Sequence, residues 1–199
     1  MEEIKQNKIE NALEILREPM ALGEVFAESG IFKDTKTAAQ AVVKILAGKE
    51  MGLSPIESMN NLFIVNDKIG VTTGVIASRI KKSGKYDFQV KVLNEKECAI
   101  EFSLLGEKPL VLGLSTFTFA DCAKAGLANK DVWKNYPRNM MFNRALSNGA
   151  KWFCADIISY SSAEELQDIA PAKKTIEITA EGTVQAALPE VKEEVKNNG

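Results

Sequence analysis

Apolar positions recur first at helical spacing, then in alternation, then at helical spacing again. Ala38, Ala41, Val42, Ile45 and Leu46 repeat at three- and four-residue intervals and predict a helix, with Asp34-Thr35 as its cap and Gly52 as its end. Two shorter helices are expected before it, from about Gln6 to Arg17 and, after Pro19, to about Glu28. Ser54-Pro55-Ile56-Glu57 has the Ser-to-Glu spacing of a capping box with proline at the first helical position, so another short helix starts there. Leu62-Phe63-Ile64-Val65 and Ile69-Gly70-Val71-Thr72 flank Asn66-Asp67-Lys68, a hairpin signal. Thr73-Gly74 then opens a helix that runs through Lys82 and ends near Gly84.

Three alternating segments follow, Tyr86 to Leu93, Cys98 to Leu104 and Leu110 to Phe117, with turns at Asn94-Glu95-Lys96 and Gly106-Glu107. Phe119 to Leu127 reads as a short helix closed by glycine, and Pro137 starts a longer one. The fold class is α+β: helices packed on a short hairpin and an antiparallel three-stranded meander, with no alternating βαβ pattern. The expected organisation is an N-terminal helical segment (1–34), a core (35–168) and a flexible acidic tail (169–199). Glu164-Glu165-Leu166 would be a last helical turn, and the acidic, aromatic-poor tail reads as disordered.

Composition narrows the chemistry. A hydrophobic fraction of 45% over 199 residues supports a core, and no apolar run approaches the ~20 residues of a membrane span. Cys98, Cys122 and Cys154 are odd in number and widely spaced, as in a reduced, cytoplasmic protein without disulfides. There is no histidine, which removes Ser–His–Asp, Cys–His and His-ligated zinc chemistry, and no metal or cofactor is expected.

The net charge of −2 conceals segregation. Residues 68–151 carry 14 basic and 7 acidic side chains, net +7, between ends of net −4 and −5. A basic middle suits a polyanion, although chance clustering on solvated faces would give the same numbers.

The segment Trp133-Lys134-Asn135-Tyr136-Pro137-Arg138 and the helix after it concentrate this charge among aromatics. At about 100° per residue, Arg144 and Lys151 fall on one stripe with Met140 and Ser147, while Leu146, Ala150 and Phe153 lie opposite. Arg138 stands in the first turn, where free backbone N–H groups attract anions. Guanidinium and ammonium groups pair with phosphates and flat rings stack on unpaired bases. Trp133, Tyr136 and Trp152 fit core or hinge packing as well as stacking. Arg79 and Lys82, three apart on the preceding helix, share a face that could support the same ligand or merely complement a helix dipole.

Trp133-Lys134-Asn135-Tyr136-Pro137-Arg138-Asn139-Met140 resembles the W-x-x-Y-P-[KR]-x-M core of the RecT/Redβ (Bet) family of phage single-strand annealing proteins. Arg144-Ala145 and Lys151 are similar to its following basic positions. Asp121 to Leu127 is similar to its D-A-x-x-A-G-L element, and Gly48 to Pro55 with Leu62 to Lys68 to its early helix and hairpin. The likeness spans roughly residues 40–168. Asn139 and Phe142 depart from it, standing where many relatives are basic. The resemblance implies a RecT-like core that binds single-stranded DNA and anneals complementary strands without ATP, as a homo-oligomeric ring or helical filament. Arg138, Arg144, Lys151, Lys134, Arg79 and Lys82 would take the phosphates, and Trp133, Tyr136 and Trp152 are the stacking candidates. The partners it implies are single-stranded DNA, the annealed duplex intermediate, further copies of the chain, and a phage exonuclease or host single-strand-binding protein. Annealing is downhill by roughly 1.4 kcal/mol per base-pair step, and the chain has no Gly-x-x-x-x-Gly-Lys-[Ser/Thr] loop.

Two other readings fit the residues. The same fold could assemble without binding DNA. Alternatively, Glu95, Glu97 and Glu101 with Lys96 could form a carboxylate-metal nuclease site, although these residues also suit a hairpin turn and a solvated strand face.

Overall fold

The computed structural model describes residues 2–169. Helix α1 (Glu2–Glu28) lies against α2 (Ala38–Glu50), which leads through a tight turn into α3 (Pro55–Asn61). Strands β1 (Leu62–Val65) and β2 (Lys68–Val71) form the hairpin, and α4 (Thr73–Lys82) follows. Next come β3 (Tyr86–Leu93), β4 (Glu97–Leu104), β5 (Leu110–Thr118), α5 (Phe119–Lys124), α6 (Asp131–Asn135) and α7 (Pro137–Phe153). A two-residue strand β6 (Ser161–Ser162) and helix α8 (Ala163–Ile169) complete the described residues. The architecture is α+β, with an antiparallel meander in the order β3-β4-β5. The expected tail lies, from residue 170 onward, outside the described residues. No helix among the described residues is long and apolar enough to cross a membrane.

Three expectations are corrected. The two N-terminal helices are one, because α1 continues through Pro19. Proline removes one backbone bond at a cost of ~3 kcal/mol. Pro19 is itself buried, and Leu22 and Phe26, which follow it, pack with Ala41 and Ile45 of α2, so the second half of the helix is held against α2. The cap of α2 is Thr37, not Asp34-Thr35: Thr37 and Gln40 reciprocate as a capping box. Asp34 and Thr35 are instead engaged by the fully buried ammonium of Lys44, at 2.9 Å from Asp34 Oδ2 and 3.3 Å from Thr35 Oγ1. The hairpin is also not alone. β6 pairs with β2 in parallel, Gly70 beside Ser161 and Val71 beside Ser162, so the small sheet has the order β1-β2-β6.

Local chemistry explains the remaining boundaries. Asn66 and Asp67 both have positive φ (50° and 59°), which makes a two-residue primed turn whose twist matches the strands. After α2, Gly52 at φ +72° lets its N–H reach Lys49 O while that of Leu53 reaches Gly48 O, the paired bonds of a Schellman motif. Gly126 ends α5 the same way. Tyr136 precedes proline and is therefore turned out of the helical region (φ −133°, ψ 52°), which breaks α6 from α7.

The core lies between the meander and α7. Ile100 and Phe102 of β4 and Phe117 of β5 face Met141, Ala145, Leu146 and Ala150 of α7. The approach is closest at Gly149, where an added Cβ would stand 2.1 Å from a ring carbon of Phe102. Ser115 Oγ donates to the Ala145 carbonyl at 2.7 Å and ties strand to helix within this core.

Candidate nucleic-acid interface

The nine side chains expected at a nucleic-acid surface separate into three groups. Lys134, Tyr136 and Arg138 stand together at the α6–α7 break, all exposed, with Tyr136 62% exposed. Neither Lys134 nor Arg138 makes an ion pair among the described residues. Arg138 lines a depression of about 790 Å³ with Leu93, with Glu95 and Lys96 of the β3–β4 turn and with Glu97 at the start of β4. Trp152 is also exposed (61%), but it lies sixteen positions from Tyr136, about 24 Å along the helix axis.

The second group, on α4, is split. Lys82 is exposed, beside a cleft of about 400 Å³ that it lines with Glu57 and Ser78. Arg79 turns inward: its Nε donates to the Ile157 carbonyl at 3.0 Å and its Nη1 to the Met51 carbonyl at 3.2 Å. It pins the loop after α7 and the end of α2 to α4, while lining the same cleft as Lys82.

The third group lies under α8. Arg144 Nη2 donates to Asp168 Oδ2 at 3.0 Å, and Nη1 stands 3.9 Å from Glu165 Oε1. Lys151 pairs with the other Glu165 oxygen. The expected stripe is therefore half covered: the Arg144 side chain is 13% exposed, and Met140 and Ser147 on the same stripe are buried. Trp133 is 3% exposed, with its ring 5.8 Å from that of Phe117 and its Nε1 donating to Asp168 Oδ1 at 3.2 Å. It is a core residue, which removes it from the stacking candidates and leaves Tyr136 and Trp152.

The residues that sequence reasoning missed are the acids of α8 and the groups they hold. Lys130 Nζ meets Asp168 Oδ1 at 3.3 Å and the Asp168 carbonyl at 3.0 Å, closing the negative end of α8. Glu164 accepts the Thr73 N–H at 3.3 Å and its hydroxyl at 3.1 Å, at the first turn of α4. A signal for this helix was present. Ser162-Ala163-Glu164-Glu165 has the Ser-x-x-Glu spacing of a helix start, and Ser162 Oγ accepts the Glu165 N–H at 3.1 Å.

The carboxylates considered for a metal do not converge. Glu101 pairs across strands with Lys91 at 2.8 Å, Glu95 lies in the β3–β4 turn, and no group of three His, Cys, Asp or Glu side chains among the described residues is placed to hold a metal ion. The three thiols are buried, and desolvation raises all of them, Cys98 and Cys154 to about 11. No family model, curated protein or solved structure matches this chain.

Proposed function

We propose that this protein binds single-stranded DNA through its phosphates and anneals complementary strands without ATP, assembled as a homo-oligomer on the DNA. The observation that carries the reading is the α6–α7 break, where Lys134, Tyr136 and Arg138 fall within five residues of one another and are all exposed. Two cations flanking an exposed ring can grip a backbone and stack a base without reading its edge. Watson–Crick pairing then chooses the partner strand. The net +7 of residues 68–151 supports the same polyanionic ligand, as does the resemblance of residues 133–140 to the RecT/Redβ core.

Annealing of two complementary oligonucleotides without nucleotide or divalent metal tests this, scored as duplex yield against salt. The protein should accelerate annealing, and Lys134→Ala/Arg138→Ala should slow it. The same variant should flatten the log–log salt dependence of single-strand binding by about 1.4, at ~0.7 for each phosphate no longer neutralised. Both substitutions are exposed and leave the core intact. No binding and no acceleration would favour a second reading, an assembly protein of this fold without DNA affinity. The pairing of Arg144 and Lys151 with carboxylates is what favours that alternative.

A further inference from the structure

Glu164, Glu165 and Asp168 fall within about 100° of arc on α8, one face of the helix. Each carboxylate meets a group of the kind that holds phosphate. Glu164 sits on the N-terminus of α4, Glu165 on the Lys151 ammonium, and Asp168 on the Arg144 guanidinium. From Trp152 to Asp168 the chain has four acids and no base, and it lies against a segment of net +7. A strand of phosphates would engage the same cations.

The hold on Arg144 is incomplete. A guanidinium on a carboxylate or phosphate typically donates two parallel hydrogen bonds. Here Nη2 gives one bond to Asp168, Nη1 is 3.9 Å from Glu165, and the buried Nε has no partner. The chain's own anions share this side chain, and neither saturates it. The ladder that ties the segment to the small sheet is short, with β6 pairing with β2 at two positions, and α8 otherwise rests on β1 and β2 by side-chain packing.

We propose that α8 is a displaceable anionic strap, which occupies the phosphate sites at Arg144, Lys151 and the N-terminus of α4 and yields them to single-stranded DNA. The proposal rests on the single-strand reading above. Lys134 and Arg138 lie outside the strap and would engage the DNA first. Release of α8 then extends the site along α7, and counterions freed from the DNA favour the exchange.

The test is binding of a fluorescent oligo(dT) to the full chain and to Glu165→Gln/Asp168→Asn, which keeps the size of both side chains and removes their charge. The variant should bind at least about tenfold more tightly, because less of the free protein is closed. In the unaltered protein, backbone amides of Ala163–Ile169 should exchange hydrogen faster with saturating oligonucleotide than without it. A folded variant that binds no more tightly than the parent, while the parent binds, overturns the strap and leaves the single-strand reading standing. Should the variant fail to fold, the parent decides: α8 amides equally or better protected in the complex overturn it too. If neither protein binds, the single-strand reading fails and the strap fails with it.

Discussion

Arg144 and Asp168, twenty-four residues apart, are joined by a 3.0 Å hydrogen bond from Nη2 to Oδ2. The same carboxyl group accepts from Lys130 and from the indole N–H of Trp133, so one acid gathers three donors from two helices and the loop before them. Asp168→Ala would leave a mostly buried guanidinium and an indole N–H without their acceptor. The expected loss is about 3 kcal/mol of unfolding free energy by urea titration. If α8 is a strap, single-strand affinity should rise in the same variant. A variant that loses stability and affinity together would mean that α8 is part of the binding surface.

The two basic residues of α4 should behave differently. Arg79 bridges two carbonyls from distant loops, and Arg79→Ala leaves both unmet, at a cost of about 2 kcal/mol. Lys82 is exposed, and Lys82→Ala should change stability by less than about 0.5 kcal/mol. Thermal unfolding of the two variants side by side checks this. Equal melting temperatures would remove the structural role assigned to Arg79.

Alanine favours a helix over glycine by about 1 kcal/mol, so on propensity alone Gly149→Ala should stabilise α7. Sterics oppose it: the new Cβ would lie 2.1 Å from the Phe102 ring and 2.8 Å from Ser115 Cβ. Phe102 is fully buried between Phe88 and Phe153 and has nowhere to swing. Overpacking of this kind costs about 1–3 kcal/mol, and with backbone fixed on both sides the upper end applies. A net loss in urea titration is expected, and a gain would show that α7 and the meander can move apart at little cost.

Stability should fall at both ends of the pH range, for different groups. Thr118 holds Asp121 below its ordinary range through a hydroxyl and then a backbone bond, and the backbone N–H and then the hydroxyl of Ser54 do the same for Glu57. Hydrogen bonding to Lys81 and to Lys85 lowers Asp87 and Asp156. A lowered carboxylate contributes stability above its unfolded pKa and loses it as pH falls through the folded value, so these four define the acid limb. The thiols act in the opposite sense. Burial raises Cys98 and Cys154 to about 11, so their contribution is complete below the unfolded value near 9 and is lost as pH climbs toward 11. Melting temperature measured from pH 3 to 11 should form a plateau with two falling limbs. Substituting serine for Cys98 and Cys154 should remove part of the alkaline limb only.

Much of the fold is determined by the sequence alone, because its signals are local. Capping boxes, the Asn66-Asp67 turn, the glycines at 52, 84 and 126 and the proline at 137 each act within a few residues, so most element types and their order follow from them, whereas the short helix α6 carries no such signal. The basic, aromatic α6–α7 break is legible for the same reason. Which cations are exposed is not. Arg79, Arg144 and Lys151 resemble Lys82 and Arg138 in any window of sequence. They differ because carbonyls and carboxylates from distant segments reach the first three and not the last two. Pro19 is likewise overruled by packing on α2, and β6 exists only because Gly70 and Val71 offer an edge ninety residues upstream. Tertiary structure alone decided these points, since a side chain's charge is set by its identity but its partner by where the rest of the chain comes to lie.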